Sequence, residues 1–170
     1  MEDIQMSKDE IILQALRNST LSEELRDSEV EMLASLITVR EYKAGETIMK
    51  PGDAELKDTL LILGSGDVDA TAIASGEQVT LHLLHPGDLA GIIGFVGGNV
   101  LQISTTVVAK TDSKVLLLER VRFESLLNTN PAIVYYVMRG VVRNVHGIVR
   151  RMNMQSVAMN NYIFKQGGRF

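Results

Sequence analysis

Residues 85–98 read HPGDLAGIIGFVGG, and the glycines Gly91, Gly94, Gly97 and Gly98 would let backbone amides come close to a bound anion. A helix starting inside the stretch would aim further amides at a phosphate. The segment brings no cation to complete such a site, since Asp88 is the only charged residue from Pro86 to Ala109. Other chemically capable residues are sparse. His82 and His85 are three apart, so on a strand they change face before the chain runs into a turn, and His146 falls on the outward side of a helical pattern. A metal needs several convergent donors, and no metal site is predicted. Ser104, Thr105 and Thr106 have no nearby histidine base, and no GxSxG elbow is present. The carboxylates of DAE (53–55) and DVD (67–69) have no spacing that specifies an acid–base pair. With no cysteine, a disulfide framework, thiolate catalysis and sulfur-ligated metal are excluded. Neither an enzyme nor a cofactor is expected.

The elements that would position the glycine-rich stretch are legible in the patterning. The 170 residues, 45% hydrophobic and 22% charged with three prolines, suit one globular domain with additional helices. No apolar run is long enough to cross a bilayer and the first residues are acidic, so a cytoplasmic location is the expectation. Residues 9–18 have the apolar rows of a short helix, through Ile12, Leu13 and Leu16. Ser28 with Glu31 reads as a capping box before a helix that buries Val30, Leu33, Ala34 and Ile37. From Val39 to Leu118 short β-type runs alternate with turns, among them two Pro-Gly-Asp sequences that suit type II turns. About eight such strands without repeated α-crossovers predict an antiparallel sandwich or barrel. A short helix is expected over Glu119–Leu127, and Asn130-Pro131 marks the start of another.

That last helix runs to about Tyr162 with only Gly140 and Gly147 against it. Met138, Val145, Met152 and Met159 fall at heptad position a, and Val141, Ile148, Gln155 and Tyr162 at d. Seven of these eight are apolar, which predicts a coiled-coil seam and a parallel homodimer, with Gln155 setting register. The alternative is that the stripe packs on the domain's own sheet. Charge is polarised along the chain. Residues 1–31 carry nine acidic and three basic side chains, and residues 131–170 carry six basic and no acidic ones. Nucleic-acid binding by the basic helix is one reading; attraction between the two ends, within a subunit or across a dimer, is the other.

In order and spacing, VREYKAGETIMKPGD (39–53), LLILGSGDVDAT (60–71), LHLLHPGDLAGIIGFVGG (81–98) and TTVVAKTDSKVLLLERVRFESLLNTNP (105–131) resemble the cyclic-nucleotide-binding domain family. Within it the chain is similar to the sensor domains of the catabolite activator and fumarate-nitrate regulators. The resemblance implies a mainly β fold with flanking helices, an antiparallel jelly-roll barrel that is also cupin-like, followed by a long C-terminal helix. The implied organisation is N-terminal helices at 1–37, a jelly-roll sensor-like domain at 38–127, a dimerisation helix at 128–162 and a flexible tail at 163–170. Too few residues remain after Tyr162 for the DNA-binding domain of those regulators.

The resemblance also implies a ligand pocket around Gly91, Ile92, Ile93, Gly94, Phe95, Ser104, Thr105 and Thr106. The family's ribose-binding glutamate falls on Ile92, and its phosphate-binding arginine falls between Leu101 and Ile103, where nothing is basic. Losing a charge-assisted contact of that kind costs about 2–5 kcal/mol. The expectation is a non-enzymatic regulatory module with a degenerate phosphate cassette, homodimeric and acting through a protein partner, with a small-molecule ligand left open. Three alternatives accompany it: a genuine cyclic AMP or cyclic GMP sensor using amides and hydroxyls, an occluded dimeric scaffold, and a nucleic-acid-binding protein. No membrane partner is expected.

Overall fold

The computed structural model describes residues 6–74, 76–97 and 104–166. Two helices, α1 (Lys8–Asn18) and α2 (Asp27–Ala34), precede strands β1 (Thr38–Tyr42), β2 (Thr47–Met49), β3 (Thr59–Ser65), β4 (Val68–Ala74), β5 (Glu77–Leu83) and β6 (Leu89–Ala90). Helix α3 (Ile92–Phe95) leads toward β7 (Ser104–Ala109) and β8 (Ser113–Glu119), and α4 (Arg120–Glu124) and α5 (Pro131–Gln166) follow. Short 3-10 turns at Thr20–Ser22 and Ser125–Leu127 join the helices.

The expected mainly β barrel is corrected. The strands form two separate four-stranded antiparallel sheets, ordered β1-β8-β3-β6 and β2-β7-β4-β5, and neither closes. One edge strand of each sheet is too short to complete a cylinder: β6 has two residues and β2 has three. The protein is a mixed α/β fold in which the helices contain more residues than the strands, α5 alone having 36.

Three layers result, and they explain the run LLIL in β3 and VLLL in β8. Leu60, Ile62, Leu116 and Leu118 pack against the helices, whereas Leu61, Leu63, Val115 and Leu117 pack against the second sheet. A sheet buried on both faces needs apolar residues at every position, so the period-2 signal disappears. The second sheet has one wet face and keeps its alternation, with Val68, Ala70, Val107 and Ala109 inward and Asp69, Thr71 and Thr106 on the other side.

Capping fixes the helix starts. Ser7 and Glu10 form a reciprocal box at α1, Ser7 Oγ accepting from Glu10 N and the Glu10 carboxylate accepting from Ser7 N. At α2 the box lies two residues earlier than the sequence suggests. Glu29 accepts from the amide of Arg26, and Ser28 sits inside the first turn.

The first turns of α5 are fastened to the domain. Ile133, Val137 and Val141 enter the helical core, and Gly140 lies so close to the Thr20–Ser22 turn that a Cβ there would stand 2.2 Å from the Thr20 carbonyl oxygen. Arg139 pairs with Glu24 at 3.3 Å, and Arg143 with Glu23 at 3.2 Å and also with Glu24. The opposite charge at the two ends of the chain is therefore used inside one subunit. These side chains are a quarter to a half exposed, so the pairs align α5 more than they stabilise it.

Candidate functional site

The glycine-rich stretch begins at β6, which hydrogen-bonds β3 through Leu61–Ala90 and Ile62–Leu89 register pairs. Asp88, the one charge within the stretch itself, is spent on the turn before it, its Oδ2 accepting from the amides of Leu84 and His85, each at 3.0 Å. Gly91 then takes a left-handed conformation (φ 75°), with the Thr59 carbonyl too close for a side chain. Gly94 lies flat on the preceding loop; a Cβ would fall 1.8 Å from the Lys57 carbonyl oxygen. Both glycines are needed for packing, independent of any ligand.

Helix α3 itself is a single short turn, and its last amide and the two that follow are occupied. Phe95 N donates to Gly91 O, Val96 N to Ile92 O and Gly97 N to Gly94 O. Phe95 is buried and its ring meets Phe123 at a centroid distance of 5.4 Å, so it belongs to the helical core. Ile92 packs on the same core, and Ile93 and Val96 remain 42% and 47% exposed. The surface offered by α3 is thus apolar.

An arginine does reach the cassette, from a place the sequence reading missed. Arg120, the first residue of α4, places Nη1 3.4 Å from the Gly94 carbonyl, Nη2 3.1 Å from Asp58 and Nε 4.0 Å from Glu124. Its backbone amide donates to the Asp58 carbonyl at 3.0 Å. The guanidinium therefore sits at the C-terminal end of α3, where cations are favoured, with two carboxylates against it. It ties cassette, loop and α4 together. The missed signal is topological: β8 runs antiparallel to β3, pairing Glu119 with Thr59, and so returns Arg120 to the loop before β3.

The rest of the expected pocket divides. Thr105 lies opposite Ala72 and shares the inward face with Val107, whereas Thr106 lies opposite Thr71, whose hydroxyl is 3.1 Å from that of Thr80 on the wet face. The two threonines cannot line one pocket. The Ser104 side chain, and the positions 101–103 expected to hold an arginine, lie outside the described residues.

The other candidates for chemistry have structural partners. His82 Nδ1 is 2.6 Å from Asp69 on the wet face, beside Lys110, and His85 faces Asp88 at 3.7 Å. Asp53 caps the amides of Glu55 and Leu56, and Glu55 pairs with Arg40. Among the described residues no group of three or more His, Asp or Glu could hold a metal ion. At the far end of the strands a cavity of about 210 Å³ is bordered by Lys43, Asp112 and Lys114. There Lys43 Nζ bonds Asp112 at 2.8 Å. The hydrogen bond from Lys43, reinforced by the Ala44 amide, holds the Asp112 carboxyl below its ordinary value, and the same bond raises Lys43.

Along α5 the expected interface residues separate by environment. Val141 is buried and Met138 partly buried in their own subunit. Val145 and Met152 are 39% and 46% exposed, Gln155 is exposed and Ile148 half-buried. The side chains of Met159 and Tyr162 lie outside the described residues.

Residues 39–130 match the family model described as the cyclic nucleotide-binding domain. The chain belongs to that family. Its domain is a regulatory, non-catalytic sensor type. Among curated relatives, the neuropathy target esterase sws of Drosophila virilis is 27% identical over 175 residues, covering 96% of this chain and 11% of its own. The chain thus spans about a tenth of the length of such relatives. The catabolite activator protein of Thermus thermophilus is 27% identical with a TM-score of 0.64, over 81% of this chain and 63% of that one. The regulatory subunit of a cAMP-independent protein kinase A from Trypanosoma brucei is 25% identical with a TM-score of 0.62, over 81% and 47%.

Proposed function

We propose that this domain is a regulatory module that has lost ordinary cyclic-nucleotide recognition and passes its output to a protein partner as a homodimer built on α5. The observation that carries the first part is the commitment of Arg120. Among the described residues the one arginine in contact with the cassette is already bonded to the Gly94 carbonyl at the C-terminal end of α3 and flanked by Asp58 and Glu124, so it is not held out for a phosphate. Ile92 stands where the family resemblance implies the ribose acceptor. The resemblance to a kinase regulatory subunit described as cAMP-independent supports regulation without that ligand. The exposure of Ile93 and Val96 favours an uncharged, apolar contact at the cassette surface.

The dimer reading rests on a free stripe. Val142, Val145, Val149 and Met152 are 65%, 39%, 46% and 46% exposed, and their spacing of three, four and three is that of a coiled-coil seam. The seam is rotated from the expected one because Val141 is used by the subunit's own core.

Calorimetric titration with cyclic AMP and cyclic GMP should give no binding at tens of micromolar; micromolar affinity for either would end the first part. Light scattering should give an associated parent whose mass falls when V145E/V149E breaks the α5 seam. A monomeric parent at tens of micromolar would end the second.

A further inference from the structure

Of the four sheet edges, three are protected. β6 offers two residues, β2 offers three with a register shift, and β1 carries Arg40 and Glu41, each held in an ion pair. Edges that are short, bulged or charged resist pairing with another chain. β5 has none of these devices. It is seven residues long, EQVTLHL, in unbroken register with β4, and β4 is its only partner strand among the described residues. It contains no proline, lysine or arginine, and its only acidic residue, Glu77, is at one end. Val79 is 39% exposed.

We propose that the β5 edge is a self-association surface, on which a second copy of this chain adds its own β5 antiparallel about a two-fold axis at Thr80, making one continuous sheet of eight strands. The sequence of the strand argues for a second copy. With Thr80 opposite Thr80, Val79 meets Leu81 on the face toward the first sheet, and Gln78 meets His82 on the wet face. Glu77 ends opposite Leu83, so no like charges face each other. A one-residue slip would set Val79 against Thr80 and mix apolar with polar on both faces, which specifies the register. Directly opposed pairs are the unit that stabilises such a sheet. This contact is separate from the α5 seam. Two distinct two-fold interfaces on one chain join dimers into larger assemblies.

The absence of cysteine from the chain makes a direct test simple. Under mild oxidation T80C should form a disulfide-linked dimer in high yield. I73C, on the neighbouring strand and more exposed than Thr80, should not. The T80C link should persist in the V145E/V149E background, which removes the α5 seam independently. As a measurement that needs no substitution in β5, amide exchange of residues 77–83 in the parent protein should slow about tenfold as concentration rises from low to high micromolar. Failure of T80C to cross-link while the reduced variant remains folded would overturn the proposal, as would equal cross-linking by I73C. So would a link lost with the α5 seam, or exchange in β5 that ignores concentration. None of those results bears on whether α5 dimerises.

Discussion

Replacing Gly140 and Gly147 separately by alanine isolates what holds α5 to the domain. Both lie in the same helix, and alanine gains about 1 kcal/mol of helix propensity over glycine at either. Their surroundings differ. At Gly140 the new Cβ would stand 2.2 Å from the Thr20 carbonyl oxygen and 2.8 Å from Leu21 Cα, both backbone atoms that cannot rotate away. Relief to the 3.0 Å floor of real Cβ contacts requires α5 to retreat by about 0.8 Å, the difference between 3.0 and 2.2. That loosens Ile133, Val137 and Val141 against the core, and overpacking of this kind costs about 1–3 kcal/mol. At Gly147 nothing lies within 4 Å. The propensity gain cancels between the two variants, so G147A should exceed G140A by the steric cost, about 1–3 kcal/mol. The expected order is G147A, parent, G140A, with about 2–4 °C in Tm for each kcal/mol at this chain length. Urea unfolding followed by circular dichroism checks it, at one fixed protein concentration because association shifts apparent stability. A G140A protein as stable as G147A would refute the close approach of α5 to the Thr20 turn.

Phe95→Ala should destabilise the fold by about 3–5 kcal/mol in denaturant melts, because Phe95 is a fully buried core ring packed on Phe123; a loss under 1 kcal/mol would return Phe95 to the ligand surface. Asp112 has a folded pKa held below its unfolded value, so its contribution is present above about pH 3.9 and is lost as pH falls through the lower folded value. D112N should accordingly flatten the acid limb of Tm against pH relative to the parent, and superimposable limbs would exclude the Lys43–Asp112 bond as its source.

Much of the local order was written in the chain. The eight strands, the Asn130-Pro131 helix start and the length of α5 follow from turn residues, capping and periodicity, because those signals act within a few residues. The family, too, was legible from the order and spacing of its segments, and so was the absence of a basic residue from the cassette itself.

What required the tertiary structure is everything decided by neighbours distant in sequence. Whether the strands close depended on how far β2 and β6 extend before their partners run out, and alternation carries no such information. The heptad pattern of α5 contained two apolar stripes, and only the placement of the Thr20 turn assigned Val141 to the core and left Val142 free. Arg120 lies 26 residues beyond Gly94, yet antiparallel pairing of β8 with β3 brings its guanidinium to that carbonyl. Composition fixed which side chains were available; the return paths of the strands fixed which of them meet.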